Sequence, residues 1–205
     1  MKRKCLSVAM AVVMTVVCLT GCSGNFSKSS FISAAKSSGM KEITETTELG
    51  NILADPGEHI AYYYDMDVRL FESLGGQLRD YVSVKDVKEC TMAIESIGKT
   101  DNHGRCLTQV YFLTVKDSET AEEIYESAIK PLRFGVEEGE KNGVTYTVSY
   151  QGSPNEGSTV ELACGVYLKG NQILWIRSDY DATLKNRSVE NICKSLGVVS
   201  PYTQR

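Results

Sequence analysis

The strongest fold signal in the chain lies in residues 160–178, which read Val-Glu-Leu-Ala-Cys-Gly-Val-Tyr-Leu-Lys-Gly-Asn-Gln-Ile-Leu-Trp-Ile-Arg-Ser. Two runs rich in apolar residues, 160–168 and 173–178, flank the dipeptide Gly170-Asn171. Glycine and asparagine tolerate the backbone conformation of a tight turn, and apolar runs on both sides of such a turn are typical of paired strands. The segment therefore predicts a β-hairpin.

A second pair of apolar runs, residues 90–97 and 106–115, predicts another hairpin. Centring its turn near residue 101 gives two facing pairs, Ile97 with Cys106 and Cys90 with Leu113. Apolar side chains occupy both alternating faces of the second run. A strand that is apolar on both faces is buried on both, so this strand is predicted to lie in the middle of the sheet.

The remaining elements are predicted from hydrophobic spacing, caps and turn residues. Strands are expected over residues 59–67 and 144–150, the latter with one solvated face. Helices are expected from a Ser30 cap to Gly39, over 68–81, from Asp117 or Ser118 to Pro131, and before Gly197, with a short helix over 48–54. Residues 135–143 and 152–158 are expected to be solvated loops. Together these elements predict an α+β domain with a mostly antiparallel or mixed sheet of about six strands and helices on one or both faces.

The amino terminus has a different composition from the rest of the chain. Lys2, Arg3 and Lys4 precede an apolar run over residues 6–19, and small residues follow at Thr20 and Gly21. A positive start, an apolar middle and a small-residue end are typical of a secretion signal. The run is shorter than the roughly 20 residues that a membrane-spanning helix needs. Residues 1–21 are therefore predicted to be a cleaved signal peptide.

The end of this segment, Leu19-Thr20-Gly21-Cys22, resembles the lipobox of bacterial lipoproteins. The resemblance covers the first 22 residues and implies that the Cys22 thiol receives a diacylglycerol, with acylation of the freed amine also possible in that family. It implies a protein anchored at the extracytoplasmic face of the cell membrane. The general layout of the rest also resembles small lipoproteins of Gram-positive bacteria. We expect three segments: the signal peptide, a lipidated flexible tether over residues 22–30, and one extracytoplasmic domain over 31–205.

Charge excludes one class of partner. After removal of residues 1–21, the chain has 19 basic and 26 acidic residues, which gives a net charge of −7. The two signs are interspersed, and no basic run occurs. Because nucleic-acid-binding proteins present basic patches to phosphates, we expect no nucleic-acid partner.

Four cysteines follow Cys22 in the chain: Cys90, Cys106, Cys164 and Cys193. Cysteines outside the cytoplasm often form disulfides, whereas cysteines within apolar patterns also behave as small buried hydrophobes. Two interpretations stay open: free buried thiols, or one strand-to-helix bridge between Cys164 and Cys193. The spacing contains no Cys-x-x-Cys pair and the histidines are remote in sequence, so no metal site is predicted.

Several residue combinations match fragments of known sites, but each has a simpler interpretation. Ser33 and Lys36 have the spacing of a nucleophile pair that recurs by chance elsewhere in the chain. Two acidic pairs, Asp65 with Asp67 and Asp179 with Asp181, are expected to be solvated, with Asp67 available to cap the next helix. His59 and His103 have no identifiable catalytic partner. The Tyr62–Tyr64 run and Trp175 are expected in the core rather than on a binding surface.

The sequence therefore predicts no catalytic residue and no cofactor. The leading hypothesis is a non-enzymatic, lipid-anchored module of the cell envelope that binds a small ligand or a protein. Two alternatives remain: an envelope hydrolase whose site is assembled only in the fold, and a structural or assembly lipoprotein. A histidine in a deep cleft beside a nucleophile would favour the hydrolase, and a large exposed apolar patch would favour the assembly factor.

Overall fold

The computed structural model describes the backbone of residues 25–45, 47–48, 59–74, 76–100, 104–151, 160–181 and 188–204. This part of the chain contains eight strands: β1 Lys41–Glu42, β2 His59–Met66, β3 Val87–Thr100, β4 Gly104–Val115, β5 Val136–Lys141, β6 Val144–Gln151, β7 Val160–Lys169 and β8 Gln172–Asp181. Its α-helices are α1 Lys28–Ser37, α2 Val68–Leu74, α3 Ser118–Ile129 and α4 Ser188–Leu196. Short 3-10 helices cover Gly76–Asp80, Val84–Asp86 and Pro201–Gln204.

The strands form one sheet in the order β1-β2-β3-β4-β8-β7-β6-β5. β1 and β2 are parallel, and every other neighbouring pair is antiparallel. The α+β class and the mostly antiparallel sheet are thus confirmed. The strand number was underestimated, because the two additional strands lie at the edges. β5 is mostly exposed along its length, so it has no hydrophobic alternation, and β1 is only two residues long.

Both predicted hairpins are confirmed, including the register predicted for the β3–β4 hairpin. Cys90 faces Leu113 and Ile97 faces Cys106 across β3 and β4. β4 lies in the middle of the sheet, between β3 and β8. Its side chains reach both cores, as predicted. Gly170, in the β7–β8 turn, has a φ of +57°, a conformation that glycine adopts without strain.

The two faces of the sheet carry separate hydrophobic cores. On the first face, α1 and α4 pack through Phe31, Ala35, Ile192 and Leu196 against strand residues such as Tyr167. On the second face, α2 and α3 cover a core that includes Phe71, Leu78, Tyr111, Leu113, Ala121, Ile124 and Tyr125. Each helix is amphipathic, so burying its apolar stripe on the sheet is the main source of its stability.

The predicted flexible tether over residues 22–30 was too long. Ser27 accepts a hydrogen bond from the Ser30 amide and caps α1, so the cap is Ser27 rather than Ser30. Phe26 is 4% exposed, and its ring centroid lies 5.3 Å from that of Phe112. The folded domain therefore begins by Phe26. The sequence did not predict this start of the domain, because the residues around Phe26 are Ser, Gly, Asn and Lys, which are typical of a flexible segment.

Three further predictions needed correction. The helix expected over 68–81 is α2 followed by a separate 3-10 helix, with the break at Gly76, whose φ is +54°. The loop expected over 135–143 contains β5. The solvated face expected on β6 is exposed only at Thr145; Thr147 and Ser149 are buried, because α3 covers Thr147 and the chain after α3 covers Ser149. The loop expected over 152–158 lies outside the described residues, as does nearly all of the helix expected over 48–54.

Candidate functional site

The second face of the sheet has a groove at the end where β8 finishes. α3 covers the middle of this face, and the groove lies between the end of α3 and the Gly76–Asp80 helix. It consists of two adjoining hollows that share Gln77 and Arg177 as lining residues. One hollow, the apolar cavity, has a volume of about 210 Å³. The other, the polar recess, is more open and measures about 400 Å³.

The apolar cavity is lined mainly by aliphatic and aromatic residues. They are Tyr81, Ala128, Pro131, Leu132, Phe134, Leu162 and Trp175, and the polar lining residues besides the shared Gln77 and Arg177 are Arg133, Ser149, Gln151 and Cys164. Trp175 is 6% exposed and packs on Tyr111 at 5.7 Å between ring centroids. Phe134 is 59% exposed. The cavity is therefore an apolar space with a partly solvated aromatic residue among its lining.

Phe134 is positioned by the chain that leaves α3. Pro131 lacks an amide hydrogen and cannot continue the helix, so α3 ends before it. The Ser149 hydroxyl donates a 2.6 Å hydrogen bond to the Phe134 carbonyl. The Tyr150 amide donates one of 3.3 Å to the Gly135 carbonyl. These bonds hold the backbone of this segment against β6.

The polar recess combines charges of both signs. Its lining contains Arg79, Asp80, Arg177 and Asp179, together with Gln77 and Gln109. Arg79 is used to hold the turn after α2, because its guanidinium donates 2.7 Å and 3.3 Å hydrogen bonds to the Glu72 and Gly76 carbonyls. Gly76 also keeps the recess open. A Cβ there would lie 3.3 Å from the Tyr111 hydroxyl oxygen in a left-handed backbone conformation.

Arg177 and Asp179 are the two charged residues of β8 at the groove. The Arg177 guanidinium donates a hydrogen bond to the Gln77 side-chain oxygen. Burial raises the pKa of Asp179, and the positive charge of Arg177 opposes this rise. Because Arg177 and Asp179 are two residues apart on one strand, their side chains project from the same face. The groove therefore places a cation beside a desolvated carboxyl group.

Groove residues of nucleophilic type are not activated. Burial raises the pKa of Cys164 to about 11, so this thiol is neutral near pH 7. The Ser149 hydroxyl donates to a backbone carbonyl, as described above. No histidine is present among the described lining residues. Among the described lining residues, no thiol or hydroxyl is therefore paired with a histidine base.

The structure resolves the question of the cysteine bridge. Cys90, Cys164 and Cys193 are free thiols. Cys164 lines the apolar cavity on the second face, whereas Cys193 packs in the first-face core. Because they lie on opposite faces of the sheet, the Cys164–Cys193 bridge is not formed. Burial raises the pKa of Cys193 to about 12. The interpretation as free thiols holds for these three cysteines, of which Cys90 and Cys193 are buried and Cys164 is partly exposed.

The other residues considered from sequence have structural roles. Asp65 forms an ion pair with Lys28 at 2.9 Å and accepts a hydrogen bond from Thr91. Asp67 accepts a hydrogen bond from the Arg69 amide at the start of α2, as a cap does. Hydrogen bonds from the Arg69 side chain lower the pKa of Asp67 to about 2. The first acidic pair is thus engaged by cations of this chain.

The Ser33 and Lys36 pair is also explained by the fold. Ser33 is exposed on α1, and the Lys36 ammonium lies 3.7 Å from a Glu42 carboxylate oxygen and 5.6 Å from the Tyr63 ring centroid. Tyr63, Tyr64 and Trp175 are buried and Tyr62 is partly buried, as expected of core residues, but Trp175 also lines the apolar cavity. Cys22, His103 and the side chain of His59 lie outside the described residues.

Sequence reasoning missed most of the groove. Its key positions (Gln77, Arg133, Arg177) are far apart in sequence, and Cys164 was considered only as a buried free thiol or a bridge partner. One signal was available. Within β8, Ile173, Trp175 and Arg177 share a face, so the alternation places an arginine where a further apolar residue is expected. Asp179, which was expected to be solvated, continues the same face and is only partly exposed.

In the part of the chain that the structure describes, no three His, Cys, Asp or Glu side chains come together as metal ligands. Among those same residues, no helix has the length and apolar character needed to cross a membrane. Comparison with models of known protein families gives no match, and a search of curated proteins finds no similar sequence.

Proposed function

We propose that this protein is a lipid-anchored module of the cell envelope that binds a small amphipathic ligand in the groove of the second face. The observation that carries the binding proposal is the groove itself. An apolar cavity meets a recess with a few polar and charged groups, which is the usual composition of small-molecule sites. The cavity volume of about 210 Å³ suits one apolar group of side-chain size rather than a long lipid chain.

The anchoring proposal rests on the lipobox resemblance at Cys22. One acyl chain gives weak membrane binding, while two or three give stable attachment. Cys22 is four residues before Phe26, where the folded domain has begun. Since an extended chain spans at most ~3.6 Å per residue, the lipid would hold the domain within roughly 15 Å of the bilayer surface.

Ligand binding can be tested through Trp175, which is the single tryptophan of the chain and lines the apolar cavity. We expect its fluorescence to change saturably on titration with at least one of three probes: cyclohexanol, 4-phenylbutyrate and 4-phenylbutylamine. The variant Cys164→Phe, which adds a ring to the cavity lining, is expected to weaken this response at least tenfold. Lys169→Gln, at an exposed position on the same strand, serves as the matched control. A flat response to all three probes would refute the binding proposal.

Anchoring is tested separately by metabolic labelling with palmitate in a bacterial host that processes lipoproteins. We expect the label on the wild-type chain and on Cys18→Ala, and its loss together with precursor accumulation in Cys22→Ala. Wild-type protein without label would show that the lipobox resemblance is misleading. The binding assay does not depend on this result.

A further inference from the structure

The two hollows of the groove meet at Arg177 and Gln77, so one ligand can occupy both. A ligand that fits would have an apolar body in the cavity and a compact polar head at the junction. The charges at the junction define what that head must be.

The charged lining of the polar recess is balanced. Arg177 stands beside Asp179, and Arg79 is accompanied by Asp80. A simple anion attracted to Arg177 would meet the carboxylate of Asp179, and a simple cation attracted to Asp179 would meet Arg177. A head that carries both charges avoids either repulsion. The recess therefore favours a zwitterion over a molecule with a single charge.

Arg177 and Asp179 can both form further polar contacts with a zwitterionic ligand head. A guanidinium has five N–H donors, and in the described part of the chain only a bond to Gln77 is formed by Arg177. Asp179 is only partly exposed and has a desolvated carboxyl group, for which an incoming ammonium would be a compensating partner. Arg177 and Asp179 are neighbours on one strand face, so their backbones are about 6.6 Å apart. This spacing suits a ligand head whose ammonium and carboxylate are attached to the same carbon atom.

The apolar cavity sets the size of the body. An apolar cavity of about 150 Å³ takes up benzene, so a space of about 210 Å³ accommodates one large apolar side chain. Leu132, Leu162 and Trp175 provide apolar walls for such a group.

We propose that the groove binds a free α-amino acid with a large apolar side chain, such as leucine or phenylalanine. The α-carboxylate contacts Arg177, the α-ammonium contacts Asp179, and the side chain enters the apolar cavity. This inference rests on the proposed function, because it assigns a ligand class to the same groove.

The experiment titrates the full chain with L-leucine while Trp175 fluorescence and heat of binding are recorded. Three analogues each remove one feature: N-acetyl-L-leucine has no ammonium, L-leucinamide has no carboxylate, and L-alanine has no large side chain. We expect each analogue to bind at least tenfold more weakly than leucine. Trp175 reports binding in the groove rather than elsewhere.

Two protein variants complete the test. In Asp179→Asn, leucine is expected to bind at least tenfold more weakly, whereas N-acetyl-leucine should bind more tightly because the carboxylate that repels it is gone. In Arg177→Gln, leucine is expected to bind at least tenfold more weakly, whereas leucinamide should bind more tightly because the guanidinium that repels it is gone. Lys169→Gln should leave all affinities as in the wild type. Urea midpoints measured for each variant separate a loss of binding from a loss of folding.

The remaining outcomes separate the two proposals. If N-acetyl-leucine binds as tightly as leucine, or if Asp179→Asn leaves leucine binding unchanged, the zwitterion assignment is wrong. If leucine gives no response while a neutral apolar probe still changes Trp175 fluorescence, the groove binds ligands but not amino acids. If neither leucine nor any apolar probe gives a response, both proposals fail.

Discussion

Replacing Phe26 by alanine tests where the folded domain begins. The ring of Phe26 is 4% exposed and packs against Phe112 at 5.3 Å between centroids. Phe→Ala substitutions in protein cores cost about 3–5 kcal/mol, which combines lost burial with the cavity left behind. Because Phe26 lies before the N-cap of α1 rather than within a helix or strand, its neighbours can partly close the space. We therefore expect a loss near the lower limit, about 3 kcal/mol.

The measurement is urea unfolding followed by circular dichroism, with thermal unfolding in parallel. For a domain of this size, about 3 kcal/mol corresponds to a fall in the melting temperature of roughly 6–12 °C. Phe134→Ala is the matched control, because it makes the same change at a ring that is 59% exposed. Its expected cost is within about 0.5 kcal/mol, as for most surface substitutions.

Equal urea midpoints for the two variants would refute the reasoning. That result would mean that Phe26 contributes no packing energy, and that the flexible tether does extend to residue 30 as its composition suggests. A large fall in Phe26→Ala with an unchanged m-value would locate the effect in the stability of the folded state rather than in the denatured state.

Three further predictions concern titratable and hydrogen-bonded groups. With its pKa raised to about 11, Cys164 should react with iodoacetamide at pH 8 roughly 200-fold more slowly than a free thiol of pKa about 8.5, and urea should abolish this protection in mass spectrometry. Burial raises the folded-state pKa of Asp179, so its ionisation removes stability as pH rises through that pKa. Asp179→Asn should therefore be more stable than the wild type near pH 7, with an advantage that vanishes near pH 3, and equal urea midpoints at both pH values would contradict this. The Tyr167 hydroxyl donates a 2.7 Å hydrogen bond to the Val199 carbonyl, so Tyr167→Phe should cost about 1–2 kcal/mol in urea unfolding.

Local patterns predicted the elements that have one regular apolar face. Placing the turn near residue 101 was enough to predict the β3–β4 register. A shift of one residue would move every side chain to the opposite face of the sheet, so the hydrophobic pattern allows only one register. α3 and α4 followed from their stripes and end signals, with the Asp117 side chain accepting a hydrogen bond from the Thr120 amide as the cap of α3. In these segments the periodicity of the apolar residues matches the pattern of buried side chains in the fold.

The missed elements lack such a face. β5 is held by backbone pairing with β6 and by a 2.9 Å hydrogen bond from the Tyr146 hydroxyl to Glu137, neither of which requires an apolar residue in β5. Thr147 on β6 looks like a solvated residue in the sequence, yet it is buried and its hydroxyl shares a 2.7 Å hydrogen bond with that of Tyr125 on α3. A buried polar side chain with a partner cannot be distinguished by residue type from an exposed one.

The groove could not be predicted because no local segment contains it. Gln77 follows α2, Arg133 follows α3, and Arg177 ends an apolar stretch of β8; their proximity depends on how two helices are placed on one face of the sheet. A charged residue at an inward position of a strand was the one local sign. Such a sign indicates that something polar faces that position, but it does not identify the partner.

The pairing of the strands gives the distance between the start of α1 and the groove. At the start of α1, Lys28 lies 3.5 Å from Glu89, which pairs with Thr114, and Thr114 pairs with Gln172 on β8. Arg177 is five residues further along β8, so the groove lies roughly 16 Å along the strands from the start of α1. It is also on the opposite face of the sheet, because α1 packs on the first face. The first residues that the structure describes therefore enter the domain on the face opposite the groove, and the anchor proposed at Cys22 would be joined to the domain through that face.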